Sequence, residues 1–191
     1  MRLILASTSR FRRELLLRLL LPFEVVAPDV DEAPRAGESP EALVERLAVA
    51  KAETVAAAHP GALVIGSDQV AVQRGEIVGK PGNHAGAVEQ LRAASGQRVT
   101  LYTGLALVNG ATGRVRREVI PYSTQFRTLT DAQIERYLKR EQPYNCAGSL
   151  RSEGLGIALL ERFAGDDPTA LIGLPLIRLV RMLEAEGVEV I

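Results

Sequence analysis

Residues 62–72 read ALVIGSDQVAV, and the meaning of this stretch decides how the rest of the chain is read. Valine, isoleucine and leucine bounded by turn signals make a strand buried in a sheet, yet the apolar run is broken at its middle by Gly66, Ser67, Asp68 and Gln69. A buried strand has no need of a carboxylate for its own sake. Glycine, serine and aspartate also favour turns and caps, so a turn aspartate is one reading of Asp68. The other is a functional acid held on a rigid strand, which requires cationic or metal partners from elsewhere in the chain.

Toward the N-terminus, residues 3–6 form a short apolar strand, Ser7, Thr8 and Ser9 a polar turn, and Phe11, Leu15, Leu16, Leu19 and Leu20 recur at helical spacing. That helix ends before Pro22, residues 23–26 read as a second strand, and residues 28–40 as a loop that carries Asp31 and Glu32. Ser39, Pro40 and Glu41 signal a helix start, with Leu43, Leu47, Ala50 and Thr54 as its inward stripe. Lys51 falls on the same stripe, where a lysine either extends along its stem to water or meets an anion.

Toward the C-terminus, Gly75 precedes a short apolar pair, Ile77 and Val78, followed by Gly79, Lys80 and Pro81. Asn83 caps a helix with Ala87, Val88, Leu91 and Ala94 inward. Residues 99–108 and 115–126 read as an antiparallel hairpin, and Thr130 with Gln133 as a capping box opening a helix to about residue 140. A glycine-rich loop over 148–156 holds Arg151 and Glu153, residues 157–160 read as a strand, and Pro175 begins a last helix through Ile177, Val180, Met182 and Leu183. Alternating strands and helices followed by a hairpin predict an α/β fold, a mixed sheet flanked by helices, with residues 1–191 as one domain and a groove between two lobes as the natural site.

Bulk composition narrows the function. The 23 basic and 23 acidic residues cancel, so no global field recruits nucleic acid or an anionic membrane, and any anion site is local. A hydrophobic content of 47% with 24% charged residues is that of a soluble globular chain. The leucine-rich first 26 residues are interrupted by Arg10, Arg12, Arg13 and Arg18, so they read as part of the fold and not as an export signal. The single cysteine, Cys146, excludes an internal disulfide, has no recognisable base beside it and fits a reducing, cytoplasmic setting. His59 and His84 are too far apart to suggest a histidine metal cluster.

Ser7, Ser9, Arg10, Arg12 and Arg13 at a strand-to-helix turn outline a polyphosphate site, since backbone N–H groups, hydroxyls and guanidinium groups all suit phosphate oxygens. Their plainer reading is an N-capping serine beside solvated arginines. The GxxxxGK[ST] and GxGxxG patterns are absent, so neither a P-loop nor a Rossmann site is supported. Lys51 and Lys80 would neutralise a highly anionic substrate, and Asp68 with Glu32 are hard oxygen ligands suited to magnesium or manganese. Cations and acids together describe metal-assisted attack of water on a phosphoanhydride, with Asp68 either the general base or a holder of the metal.

The chain resembles the Maf family of nucleotide pyrophosphatases nearly end to end, through LILASTSRFRRELL, VDE with ESPEALVERLAVAKA, VIGSDQV, GKP, ASG, YTGLAL, FRTLT, AGSLRSEGLGI and GLPL in that order. SDQV and the SEGLGI loop make it most similar to the branch that hydrolyses 7-methyl-GTP. The resemblance implies an inosine-triphosphatase-like fold of two lobes around a long mixed sheet with a central cleft, and cleavage of a nucleoside triphosphate to monophosphate and pyrophosphate with Mg2+, Mn2+ or Co2+. It places the catalytic acid on Asp68 with Lys51 and Lys80, substrate phosphates on Ser7, Ser9, Arg12 and Arg13, metal on Glu32 and Asp68, and base selection on Phe11, Gln69 and Glu153. A homodimer is implied in the same way. Arg10 stands where relatives often have proline and Phe11 where close relatives have tryptophan, which bears on base selection and not on the chemistry. Methylation gives guanine a positive charge that the Phe11 ring would attract, and Glu153 would accept from the N–H groups of the base's pairing edge. The alternatives are a pyrophosphatase preferring dTTP, UTP or another non-standard nucleotide, and a nucleotide-binding regulator of septum formation.

Overall fold

The polar quartet does not break its strand: β3, Leu63–Gln73, runs without interruption through Gly66, Ser67, Asp68 and Gln69 in the computed structural model, which describes residues 2–191. It pairs in parallel with β1, Leu3–Ala6, which places Ala6 opposite Gly66, and β1 pairs in parallel with β2, Glu24–Val26. The short β4, Glu76–Val78, returns antiparallel along the far end of β3. From β3 the sheet continues through β5, Arg98–Asn109, β6, Val115–Phe126, and β7, Leu160–Ala164, which is antiparallel to β6. The result is the expected mixed α/β sheet, here of seven strands.

Two compact units make up the chain. The first takes it up to Gln69 and adds Tyr102–Ile120 and Asp167–Ile191; the second comprises Val70–Leu101 and Pro121–Asp166.

In the first unit, α2, Pro40–Ala58, starts as its cap predicts, with the Ser39 hydroxyl accepting from Ala42 N–H. It lies so close to the sheet that a Cβ on Gly66 would stand 2.0 Å from the Ala48 carbonyl, and one on Gly104 2.1 Å from that of Val44. This close approach selects the buried face: Leu43, Val44, Leu47, Ala48, Lys51, Ala52, Val55 and Ala56. The expected stripe through Ala50 and Thr54 is therefore displaced, and Thr54 faces outward, because the backbone at Val44, Ala48 and Ala52 is the part of the helix that meets the glycines. Helix α1, Arg10–Leu16, buries Leu15 and Leu16 and then tightens into a 3-10 turn. Leu20 closes it at φ 56° and is 90% exposed, so the stripe stops short of Leu19 and Leu20; the residue before Pro22 is kept from the helical region. Helix α5, Leu176–Glu184, buries Leu176, Leu179, Met182 and Leu183, leaving Ile177 outside, contrary to expectation. Pro175 has no side-chain donor or acceptor to cap it. Buried Asp167 does so from a distance, accepting from Ile177 and Arg178 N–H as well as from the N–H and hydroxyl of Thr169.

In the second unit, α3, His84–Ala94, is capped by Asn83, and α4, Asp131–Glu141, by the reciprocal Thr130–Gln133 box, as expected. Residues 157–160 are not a strand. Leu155–Leu159 is a 3-10 turn, and β7 begins only at Leu160, opposite Phe126. Gly154 and Gly156 both return their N–H to the Arg151 carbonyl, which winds the loop and delays the strand.

Replacing Gly66 by alanine should destabilise the chain by roughly 1–3 kcal/mol or more through overpacking against α2; urea unfolding with an unchanged midpoint would show that the helix can move aside. A second expectation concerns acid. Hydrogen bonding to Arg46, with help from the Arg35 N–H, lowers the Glu38 carboxyl to about 2. A depressed carboxyl stabilises fully above its unfolded value near 4.5 and loses that contribution as pH falls toward 2. Thermal melting between pH 5 and pH 2 should therefore fall more steeply for the native chain than for Glu38→Gln.

Candidate active site

Three elements of the first unit bring charge to one point. Lys51 follows Ala48 by one helical turn, so it shares the face that the glycines draw onto the sheet. Its Nζ lies 2.6 Å from Asp68 Oδ1 on β3 and 2.6 Å from Glu32 Oε1 on the loop before α2. The lysine is 5% exposed and the aspartate 9%, while the Glu32 side chain remains 62% exposed. Lys51 thus meets anions and does not extend to water, and Asp68 is a strand acid and not a turn residue. No hydrogen bond among the described residues reaches Asp68 Oδ2.

Arg12 reaches into the same unit from α1. Its Nε donates to the Gly173 carbonyl at 2.9 Å and Nη1 to the Ser7 hydroxyl at 3.5 Å. Burial pushes the guanidinium below the usual arginine pKa, opposed by the charges of Asp68 and Glu32, which places Arg12 within the field of both acids. Ser7 is buried and accepts from Ser9 N–H at 3.1 Å; Ser9 caps α1 by accepting from Arg12 N–H at 3.4 Å. Both hydroxyls therefore hold the turn, and the capping reading of Ser9 is realised. Arg13 is exposed on this seven-residue helix. Phe11 is half-buried with the Arg10 guanidinium 5.3 Å above its ring, so a cation already covers one aromatic face.

Gln69 is anchored within the unit: Nε2 donates to Thr103 Oγ1 at 2.8 Å and to the Ala170 carbonyl at 2.6 Å. Only its oxygen remains for a ligand. Three contributors escaped the sequence reading. Ser67, fully buried, donates to the carbonyls of Gly104 at 2.8 Å and Gly173 at 2.9 Å. Thr103 donates to Ala170 O at 2.9 Å. Asp167 holds the loop that supplies the Ala170 and Gly173 carbonyls. The Asp-Pro pair at 167–168 was the one available signal, since aspartate ahead of proline favours a turn.

Lys80 and Glu153 lie in the second unit. Lys80 is exposed on the turn after β4. Glu153 accepts from Arg151 Nε at 3.3 Å, and Arg151 is braced by Glu141 at 2.7 Å, whose other oxygen accepts from Leu155 N–H. Burial pushes the Cys146 thiol up, which suits a structural thiol and not a nucleophile. The acid pair offers two hard oxygen donors, and the described residues contain no group of three or more His, Cys, Asp or Glu side chains placed for a metal. Two carboxylates fit an ion of the magnesium type, which completes its shell with phosphate oxygens and water.

Comparison with known proteins places this geometry in context. The family model described as Maf-like protein matches residues 2–186. The chain is 60% identical over 189 residues to a 7-methyl-GTP pyrophosphatase of Nitrosococcus oceani, covering 99% of this chain and 95% of that one. It is 56% identical to the protein of the same name from Nitrosospira multiformis, covering 99% and 96%, and 55% identical to that from Pseudomonas aeruginosa, covering 98% of each.

Removing the lysine alone tests how far the buried charges depend on it. Lys51→Met leaves Asp68 uncompensated and should cost about 3–5 kcal/mol of stability, whereas adding Asp68→Asn to it should recover part of that loss. Equal losses in the two variants under urea unfolding would show that Asp68 left without its lysine carries no penalty of its own.

Proposed function

The chain belongs to the Maf family, and from that premise we propose that it hydrolyses 7-methyl-GTP to 7-methyl-GMP and pyrophosphate, a single domain over residues 1–191 clearing a modified nucleotide. The observation that carries this reading is the Lys51 ammonium held 2.6 Å from both Asp68 and Glu32. In the reaction the oxygen of water bonds to the α-phosphorus, the α–β anhydride bond breaks, and pyrophosphate leaves with the electron pair. Asp68 takes the proton of the attacking water, and Lys51 fixes its orientation through Oδ1.

Glu32 and Asp68 would hold a divalent cation, magnesium, manganese or cobalt, which when bound draws charge from the phosphate oxygens. Arg12, with Ser7 and Ser9 shaping its turn and Arg13 beside it, serves the phosphates, and Lys80 offsets further negative charge. Phe11 offers an aromatic face to the base, Gln69 its remaining oxygen, and Glu153 a carboxylate for the N–H groups of guanine's pairing edge.

Three measurements test the reading. Product analysis with 7-methyl-GTP, dTTP, UTP and inosine triphosphate, each with one of the three metals, should give pyrophosphate fastest from 7-methyl-GTP; faster release from dTTP or UTP would assign the chain a pyrimidine substrate. Asp68→Asn should lower kcat by roughly 10²–10⁴-fold with the fold retained by circular dichroism. For selection, Glu153→Gln should narrow the preference for 7-methyl-GTP over dTTP, and an unchanged ratio would remove Glu153 from base recognition.

A further inference from the structure

Inside the second unit the Lys80 turn and the Glu153 loop are joined by an unbroken run of hydrogen bonds. The Gly79 carbonyl, immediately before Lys80, accepts from Gln90 Nε2 at 3.0 Å and from Gly148 N–H at 3.2 Å. The same Gln90 amide accepts through Oε1 from the Ser149 hydroxyl at 2.6 Å. The Ser149 carbonyl accepts from the Tyr137 hydroxyl at 3.0 Å, and that hydroxyl accepts from Arg151 N–H at 3.0 Å. The Arg151 side chain then meets Glu153.

Two features set this run apart from ordinary loop packing. Ser149 is fully buried at φ 57°, a left-handed backbone that a non-glycine residue keeps only where its surroundings hold it. Gln90, on α3, uses a donor at one end of its amide and an acceptor at the other, a combination that neither a carboxylate nor an apolar side chain of that length offers.

We propose that Gln90 is a positioning residue that fixes the Lys80 turn and the Glu153 loop to one frame, so that phosphate engagement and base selection change together. The inference rests on the reading that Lys80 and Glu153 meet the substrate. Among the described residues no hydrogen bond joins Gln90 to either side chain; it acts through the Gly79 carbonyl and the Ser149 hydroxyl.

Three variants of the full chain test it. Gln90→Met fills the same space with neither donor nor acceptor; Gln90→Glu keeps the acceptor and loses the donor; Ser149→Gly keeps the left-handed backbone and loses the hydroxyl. Hydrogen exchange followed by mass spectrometry, without nucleotide, should show faster exchange in both 76–82 and 148–155 for Gln90→Met, with α2 and β3 unaltered. Faster exchange in only one of these segments, or in neither, overturns the link. In kinetics, Gln90→Met should lower kcat/KM for 7-methyl-GTP roughly tenfold and reduce its ratio to that for dTTP, with Gln90→Glu between it and the native chain and Ser149→Gly shifting both in the same direction. A lower melting temperature with an unchanged substrate ratio overturns the positioning role. A native chain inert toward 7-methyl-GTP removes the functional reading, and the exchange result then decides the link by itself.

Discussion

A buried ammonium shared between two carboxylates is the interaction on which the first unit turns. Removing Lys51 and Asp68 from water carries a desolvation cost that their attraction only partly offsets, and apolar residues of similar volume would serve stability as well or better. Stability alone therefore does not account for such a pair. Its geometry depends in turn on the closeness of α2 to the sheet. Were Gly66 or Gly104 to carry a Cβ, it would overlap the carbonyls of Ala48 or Val44, and the helix would have to withdraw. Lys51, one turn beyond Ala48, would withdraw with it. Backbone contact between helix and strand thus sets the distance between an acid and its cation.

The loop from Asp167 to Pro175 stabilises the same unit in a second way. A segment that brings carbonyls into the interior needs donors for them, and here side chains supply them. Ala170 O accepts from Gln69 and Thr103; Gly173 O accepts from Arg12 and Ser67. Each donor is thereby restricted to one rotamer. The residues flanking Asp68 on β3, Ser67 and Gln69, are both tied to this loop, so the strand acid sits between two anchored neighbours. Satisfying the loop and ordering the site are one set of hydrogen bonds.

Much of this was legible in the sequence where the cause is local. Ser39, Asn83 and the Thr130–Gln133 box predicted three helix starts, because capping is written within four residues. Asp68 stood out as a carboxylate in an apolar run, and Lys51 as a lysine on an inward stripe. What the sequence did not disclose depends on partners distant in the chain. The displacement of the α2 stripe from Ala50 and Thr54 follows from Gly66 and Gly104, and the exposed Ile177 follows from how α5 packs. The late start of β7 comes from glycine N–H groups turning back to Arg151. Ser67 breaks the apolar run and Thr103 lies in a strand, but neither shows what it holds until the carbonyls opposite them are known.

Charge balance links the cluster to the chemistry proposed for it. Lys51 and Arg12 contribute two positive charges and Asp68 and Glu32 two negative ones, so this group of four is neutral, as the whole chain is with 23 residues of each sign. A neutral group offers a triphosphate no net attraction over distance, and its lysine is already engaged by two acids. Glu32 is the member that differs, because its side chain is mostly exposed while Lys51 and Asp68 are not. An exposed carboxylate is the one most readily diverted to another cation, since little desolvation is reversed when it turns to one. In the proposed reaction Glu32 is thus the acid whose loss to a divalent cation would cost the cluster least. Without Glu32 the remaining Lys51, Arg12 and Asp68 carry a net charge of +1, the sign that suits a phosphate-bearing substrate.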